Sequence, residues 1–391
     1  MNLTYIYEHD IIHYKGSFYH PYLSKILNRY RYFTDNITCC TSVVETDLSS
    51  LSSEELKEYR IDNIYKIVFI EKINSIVKLL NNDNKKVIKH QIDNSDLVIT
   101  KLPSTSGEIA ISYARKTSKP ILTEMVGCVW DSLYNHSFRG KLYAPYKFYT
   151  TRKAVKQAPY VIYVTDSFLQ SRYPTNGINI GCSDVVIKNV SKTILTNKIN
   201  YLKSCNINEL SLCTLAGLDV IYKGQHDVIR AIAYLKERGF NFQYYIAGKG
   251  TGKRLKNIAK DLGVADQIHI LKNLSHEEVF KLLDKIDIYV QPSKQEGLPR
   301  ALIEAMSRAC PAIGTFTGGI PELLSDKYLY KAGNVSDLAF ILQKLTKSDL
   351  IIMAKKNFEK SRYYLPEILD AKRKTFYNEI ILDLISFFDE L

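Results

Sequence analysis

The stretch Ile288-Tyr289-Val290-Gln291-Pro292-Ser293-Lys294-Gln295-Glu296-Gly297-Leu298-Pro299-Arg300-Ala301-Leu302-Ile303-Glu304 passes from an apolar strand through a turn into a helix. Pro299 sets the geometry of its second half. Proline is tolerated in the first turn of a helix, where its missing N–H would be unpaired in any case, so the helix is expected to start at Leu298 to Arg300 and run to about Arg308. Glu296 then lies in the loop at the helix mouth and Glu304 more than one turn inside. At a rise of ~1.5 Å per residue the two carboxylates reach points on the order of 10 Å apart. The free N–H groups of the first turn, reinforced by the helix dipole, suit an anion. A diphosphate fits between the two acids, and a sugar joined to a nucleoside through a diphosphate spans the distance. The plainer reading is that two glutamates near a helix start cap it and complement its dipole.

Working outward, the same alternation fills the second half of the chain. Leu210 to Ala216 is an apolar run ending in Gly217, and Gln225 to Arg238 has helical periodicity through Val228, Ile229, Ala231, Ile232 and Leu235 before Gly239. A strand at Phe242 to Ala247, a helix at Lys253 to Leu262, a strand at Ile268 to Leu271, a helix at His276 to Lys285 and a strand at Ile288 to Gln291 follow. Such alternation means parallel strands with crossover helices, whose ligands bind beyond the carboxyl ends of the strands, here near Gly217, Gly248, Asn273 and Pro292. The first half also reads as doubly wound α/β. Its strands are expected at Thr4 to Ile12, Lys66 to Phe69, Leu97 to Thr100, Ile121 to Met125 and Val161 to Val164, and its helices include Tyr22 to Arg29 and Gly107 to Lys116. A polar linker is expected near Lys188 to Asn208, and the tail from Tyr364 to Leu391 is amphipathic and helical.

At 391 residues the chain is too long for one ordinary core and suits two domains of about 180 residues. Its 46% hydrophobic and 24% charged residues describe an ordinary globular protein. Cys39 and Cys40 are adjacent and none of the 7 cysteines forms a C-x-x-C, which fits neither a disulfide framework nor a zinc site and points to a reducing cytosol. The N-terminus is too polar for a signal peptide, and no run of ~18 apolar residues is present to span a bilayer. The net charge of +12 is uneven. Arg139, Lys141, Lys147, Arg152, Lys153, Lys156, Arg172, Lys188, Lys192, Lys198 and Lys203 face only Asp166 and Asp184 in their segment. Nucleic acid, an anionic lipid surface or a phosphorylated acceptor would each satisfy that charge, as would a merely solvated face. No nucleic-acid-binding motif accompanies it.

From about Leu212 to Leu324 the chain resembles the donor-binding half of the large retaining, nucleotide-sugar-dependent glycosyltransferase family numbered four, also called glycosyl transferases group 1. The matching pieces, in the family's order and spacing, are Leu215-Ala216-Gly217 with Tyr222-Lys223-Gly224, Tyr245-Ile246-Ala247-Gly248-Lys249-Gly250, Ile288 to Ser293, Glu296 to Glu304, and Gly318-Gly319-Ile320-Pro321-Glu322. The resemblance implies the GT-B fold: two Rossmann-like doubly wound α/β domains facing across a cleft, with a C-terminal helix crossing back to the N-terminal domain. The corresponding boundaries are 1–195 for an acceptor-binding domain, 205–370 for a nucleotide-sugar-binding domain and 371–391 for the helix.

The resemblance also implies roles. Glu296 contacts donor-sugar hydroxyls, Glu304 holds the ribose hydroxyls, and Lys223 is a phosphate-binding cation. Gly217, Gly248, Gly250, Gly297, Leu298 and Pro299 complete the donor site. The departing phosphate oxygen takes the acceptor's proton, so no enzyme nucleophile is needed, and the glutamate pair is not a glycosidase pair flanking one bond. No Asp-x-Asp is present, so no metal and no cofactor beyond the nucleotide-diphosphate sugar is expected. Two departures stand out. Leu218 occupies the place of an arginine frequent in the family, leaving Lys249, Lys253, Arg254 or Arg300 to supply a cation. Glu124 stands near where the family offers the donor sugar a histidine and is the catalytic candidate to replace it, with Gly16, Trp130 and His136 as acceptor-side candidates.

Gly248-Lys249-Gly250-Thr251-Gly252 also admits a nicotinamide reading, with Asp266 as ribose acid, but lacks the full G-x-G-x-x-G. The run Tyr163 to Pro174 resembles bacterial transferases that build capsule, exopolysaccharide or O-antigen chains on a lipid diphosphate carrier. The expected function is therefore a metal-independent, retaining glycosyltransferase acting on a lipid-linked saccharide, cytoplasmic and peripheral on the anionic inner face of the membrane, without nucleic acid. A nucleotide-sugar epimerase of the same architecture and a non-catalytic nucleotide-sugar-binding assembly protein remain as alternatives.

Overall fold

A computed structural model describes residues 1–49, 51–72, 82–187, 190–272 and 274–389. Asn273 and Lys188, at an expected strand end and at the head of the expected linker, lie outside the described residues. The chain divides into two compact units. One comprises Met1–Val129, Pro145–Cys182 and Ala371–Leu391; the other comprises Trp130–Ala144 and Ser183–Asp370.

The strands of the first unit are β1 (Leu3–Tyr14), β2 (Ser17–Tyr19), β3 (Ile37–Glu45), β4 (Lys66–Phe69), β5 (Leu97–Leu102), β6 (Ile121–Met125), β7 (Tyr160–Tyr163) and β8 (Ile178–Gly181). They form a sheet in the order β4-β3-β1-β5-β6-β7-β8, parallel throughout except for the hairpin strand β2 on β1. The helices in this part of the chain are α1 (Leu23–Tyr30), α2 (Ser53–Tyr59), α3 (Asn82–Asp93), α4 (Thr105–Lys116), α5 (Val129–Tyr134), α6 (Phe138–Lys156) and α7 (Phe168–Arg172). The stretch Gly127 to Gly140 holds α5 and the start of α6, which carries Pro145 within it. β3 was not expected. Its sequence ITCCTSVVE has no clean polar–apolar alternation because most of its length is buried, as befits an interior strand of a parallel sheet.

The second unit follows with α8 (Lys192–Ser204), β9 (Ser211–Leu215), α9 (Gln225–Lys236), β10 (Gln243–Ala247), α10 (Lys253–Asp261), β11 (Ile268–Leu271), α11 (His276–Lys285), β12 (Ile288–Gln291), α12 (Arg300–Ser307), β13 (Ala312–Thr315), α13 (Ile320–Leu323), β14 (Leu329–Tyr330), α14 (Val335–Lys344) and α15 (Lys347–Ser361). Where a linker is expected, the structure has α8, packed into this unit. Its Lys198 is 3% exposed and donates to the carbonyls of Leu283 (2.7 Å), Asp284 (2.9 Å) and Ile286 (2.9 Å). An ammonium has three donors, and here each meets a carbonyl orphaned at the C-terminal end of α11, which explains a lysine in a core.

The second sheet runs β11-β10-β9-β12-β13-β14, all parallel. The chain steps outward from β9 to β11 and then returns, through α11, to the other side of β9. The strand order thus reverses between β9 and β12. β10 pairs with β9 along Ser211 to Leu215, whereas β12 pairs with β9 only at Ile288↔Leu212 and Tyr289↔Cys213. Beyond Tyr289 the backbone ladder ends, with the Thr214 hydroxyl still donating to the Val290 carbonyl (2.7 Å), and the carboxyl ends where the order reverses frame the crevice in which such sheets bind ligands. The platform beneath is rigid: Leu212, Val228, Ile232, Tyr244, Ile246, Ile288, Val290 and Ile313 are buried in one core, each aliphatic side chain contributing roughly 1.5–3 kcal/mol of burial.

Helix α16 (Pro366–Asp389) starts in the second unit and, from Ala371, belongs to the first. There Phe376, Tyr377 and Ile380 are buried. The Tyr377 ring lies 4.6 Å from that of Phe33, the Tyr32 hydroxyl donates to Asn378 (2.6 Å), and the Tyr160 hydroxyl donates to Asp383 (2.8 Å).

Candidate functional site

The loops that leave β9 and β12 meet at the crevice. After β9 a short 3-10 turn, Ile221–Lys223, ends at Gly224, whose φ of +74° is the left-handed region. A Cβ at Gly224 would stand 2.0 Å from the carbonyl oxygen of Pro292, so only glycine lets the turn lie against the loop after β12. The Lys294 amide clamps it from the other side by donating to the Tyr222 carbonyl (2.7 Å). This docking delivers the Lys223 ammonium to Glu296, Nζ to Oε1 at 2.6 Å, with the side chains 24% and 11% exposed. Gly318, at φ +58°, holds the opposite flank, where a Cβ would fall 2.2 Å from the Glu296 carbonyl oxygen, and the Gly319 amide donates to the Gly297 carbonyl (2.7 Å).

Glu296 has a second donor. Gln291, 2% exposed at the end of β12, gives one amide hydrogen to Glu296 Oε1 (2.9 Å) and the other to Ser293 Oγ (3.0 Å), and its carbonyl accepts from the Tyr289 hydroxyl (2.9 Å). A carboxylate can only accept, so this network fixes which way the Gln291 amide faces. Burial, with Cys213 and the carboxylates of Glu296 and Glu304 adding to it, pushes the Tyr289 phenol well above its ordinary range and keeps it a donor. One buried ring therefore senses both acids of the opening motif.

Helix α12 begins where Pro299 predicts, with Pro299 as its N-cap. No side chain caps it and no acid occupies its first turn. By contrast α2, α11 and α15 each carry a full capping box. The mouth of α12 thus keeps its amide donors for something other than its own side chains, and Glu296 precedes it on the loop without capping it. Inside the helix, burial raises the Glu304 carboxyl above the ordinary glutamate range, with Arg300 opposing the shift.

The glycine loop after β10 is built differently. Asp219 accepts from the amides of Thr251 (2.7 Å) and Gly252 (3.0 Å) and from Thr251 Oγ1 (2.9 Å), and these bonds hold its carboxyl below the usual range. The loop that enters α10 is therefore already occupied by an anion belonging to the protein. Gly248 serves close packing, since a Cβ there would lie 2.0 Å from the Ala216 carbonyl oxygen beside Gly217, and Gly250, at φ +126°, faces Asp219. Among the candidate cations, Arg254 is distinctive: its Nε and one terminal nitrogen are buried with no hydrogen-bond partner among the described residues, and burial lowers its pKa.

Of the remaining expected site residues, Glu124 and Gly16 belong to the first unit and Trp130 and His136 to the second, where Asn135, next to His136, donates to the Lys294 carbonyl (3.0 Å). Glu124, in β6 of the first unit, is 7% exposed and 4.0 Å from the Arg29 guanidinium, among the buried phenols Tyr5, Tyr30 and Tyr377. Gly16 forms, with Lys15, the tip of the β1–β2 hairpin, both at positive φ as a two-residue turn of this hand demands. Trp130 stacks on Tyr134, centroids 6.0 Å apart, and His136 is exposed in the connection between α5 and α6. Gln291, Tyr289 and Asp219 were not singled out from sequence. The available signal for the first two was a pair of polar-capable side chains at i, i+2 in an otherwise apolar strand.

Comparison with known proteins adds the following. Residues 213–362 match the model of the family described as glycosyl transferases group 1. The chain is similar to Protein CapJ of Staphylococcus aureus, 29% identical, over 98% of this chain and 97% of that one. It is similar also to the putative colanic acid biosynthesis glycosyltransferase WcaL of Escherichia coli K12, 36% identical over a shorter region covering 26% of this chain and 27% of that one. Among solved structures, Anabaena HepE in complex with UDP shares the fold at a TM-score of 0.66 and 12% identity, over 97% of this chain and 100% of that chain.

Proposed function

Because the chain belongs to the glycosyl transferases group 1 family, we propose that it moves a hexosyl group, with retention and without a metal, from a nucleoside diphosphate sugar to a saccharide on a lipid diphosphate carrier. The product is a bacterial capsule, exopolysaccharide or O-antigen chain. One observation carries the reading: a lysine and a glutamate from two different loops meet at the point where the sheet order reverses, beside a helix mouth that no side chain caps.

In this reading the diphosphate lies against the α12 amides and the Lys223 ammonium, which offset the negative charge that grows as the leaving group departs. Glu296 accepts from hydroxyls of the donor sugar and Glu304 from those of the ribose. The bond from the anomeric carbon to the phosphate oxygen breaks, the bond to the acceptor oxygen forms on the same face, and the acceptor's proton passes to the departing oxygen. Glu124 is assigned to the folding of the first unit on account of its burial beside Arg29, and Gly16, Trp130 and His136 remain on the acceptor side. Among the described residues no group of His, Cys, Asp and Glu is placed to hold a metal ion.

Membrane contact is the second part of the proposal. No helix among the described residues is long and apolar enough to cross a bilayer. One face of α6 nevertheless presents Phe138 (76% exposed), Leu142 (70%), Tyr146 (55%) and Tyr149 (65%) to solvent. The same helix carries the exposed Arg139, Lys141, Arg152, Lys153 and Lys156 and no acid, whereas its Lys147 is buried against Glu108 (2.9 Å). Exposed aromatic and aliphatic groups at helical spacing, flanked by cations, suit the boundary of an anionic lipid surface.

The test is a thermal-shift screen against UDP-, GDP- and ADP-sugars, followed by donor turnover with and without a lipid-linked acceptor. A stabilising donor, turned over with chelator present, is the expected result. Loss of turnover in chelator that magnesium restores would count against the metal-free reading, and an epimerised sugar, rather than the hydrolysed donor, formed without any acceptor would favour an epimerase.

A further inference from the structure

We propose that Gln291 is a positioning residue for sugar transfer: its side-chain amide fixes one oxygen of Glu296 so that the other is presented to the hydroxyls of the donor sugar. The inference rests on the donor-site reading above and goes beyond it, because it assigns the geometry of the acid to a strand residue that never touches substrate.

Both bonds to Glu296, from Lys223 Nζ at 2.6 Å and from Gln291 Nε2 at 2.9 Å, fall on Oε1. Among the described residues no hydrogen bond reaches Oε2, which leaves it for a ligand. The two donors differ in what a bound diphosphate does to them. Lys223 is a point charge on a flexible stem, 24% exposed, and an arriving diphosphate competes with Glu296 for it. Gln291 is neutral, 2% exposed and tied at every polar atom, to Tyr289, Ser293 and Glu296. It keeps its hold when the lysine turns to phosphate. Ser293 is itself anchored, its carbonyl accepting from Thr315 Oγ1 (2.6 Å). The strand geometry supports the relay. Tyr289 and Gln291 are two apart and share one face of β12, so the buried Tyr289 hydroxyl reaches the Gln291 amide from below while that amide points on to Glu296. A buried glutamine at the end of an apolar strand is costly unless its hydrogen bonds are met, and the group that completes them is the carboxylate of the site.

A residue acting through Glu296 alters recognition of the sugar and leaves the diphosphate untouched. The experiment compares Gln291→Met, close in volume but unable to donate, with wild type. The probes are whichever of UDP-glucose, UDP-N-acetylglucosamine, UDP-galactose and GDP-mannose stabilises the wild type most, and the matching free UDP or GDP. The expected result is a fall of roughly tenfold or more in donor-hydrolysis kcat/KM and in affinity for the nucleotide sugar, the scale of a hydrogen bond to a charged group. Affinity for the free diphosphate should stay within about twofold, and in a Glu296→Ala background Gln291→Met should change the nucleotide-sugar affinity by less than about twofold. Equal losses for sugar-bearing and free nucleotide, or an undiminished loss in the Glu296→Ala background, would overturn the proposal. Should Gln291→Met lack a cooperative unfolding transition, Tyr289→Phe, which removes only the hydroxyl that orients the amide, carries the same comparison with the same criteria. A wild type that binds none of the four sugars defeats the donor-site reading itself, a result distinct from either.

Discussion

Lys223 reaches Glu296 across 73 positions of chain, and the contact of 2.6 Å joins the two loops that flank the reversal of strand order. Neither loop could place its charge alone. The turn that carries the lysine is held in place by a glycine lying on Pro292, and the loop that carries the glutamate is gripped by a second glycine, Gly318.

Removing the ammonium tests its share in the chemistry. Lys223→Ala is expected to lower donor-hydrolysis kcat by about a hundredfold or more, the range found when one preorganised donor to a developing anion is lost. Steady-state kinetics on the donor identified by thermal shift decides it, and a change below about threefold would place leaving-group stabilisation elsewhere, with Arg254 the next group to replace.

The Gly224 contact gives a stability prediction with an internal control. Gly224→Ala combines a left-handed backbone, worth roughly 1–2 kcal/mol against a side chain, with a Cβ 2.0 Å from the Pro292 oxygen. Gly239→Ala meets only the backbone cost, because φ is +84° and nothing lies within 4 Å of its Cβ. Both variants should melt below wild type, Gly224→Ala lower, but only Gly224→Ala should also lose donor-induced stabilisation. Equal melting temperatures with donor binding intact in both would mean that the Lys223 turn is not held by this contact.

Glu304 sets folding against binding. Its carboxyl titrates higher folded than unfolded because burial disfavours the charge, so the folded state holds its proton to higher pH. The group's contribution is intact below the ordinary glutamate range and is lost as pH rises through the folded value. Glu304→Gln should therefore raise the ligand-free melting temperature at pH 8 more than at pH 4, while shrinking the shift produced by donor. Measured melting curves in which the variant is less stable at pH 8 would show that the ionised carboxylate has a stabilising partner.

The exposed face of α6 predicts a lipid preference. Sedimentation with vesicles containing anionic lipid should carry the protein down, less so at high salt, and not with purely zwitterionic vesicles. Leu142→Asp with Tyr149→Asp should abolish the binding without changing donor hydrolysis. Wild-type protein that stays in the supernatant at low salt would remove membrane contact from the proposal.

Much of the second unit was legible because its signals are local. β11, α11 and β12 fall at the residues that apolar runs and their punctuation predict, and Pro299 marks the start of α12 within a residue. What escaped depends on distant partners. Lys198 reads as linker charge until three carbonyls of another helix receive it. Pro145, a helix breaker by composition, sits inside the helix α6. Glu296 and Lys223 were visible as a motif, yet their meeting and the glutamine beneath them were not, since Gln291 reads as an unremarkable end to a strand until the loop after it folds back. Asp219, which occupies the mouth of α10, has no spacing that announces it.

The path of α16 bears on how the molecule is made. Its buried face, Phe376, Tyr377 and Ile380, completes the first unit only after the whole of the second has left the ribosome. Until then the Phe33 ring lacks the Tyr377 ring that packs on it in the finished unit. Synthesis order therefore makes the unit begun earliest the one finished last.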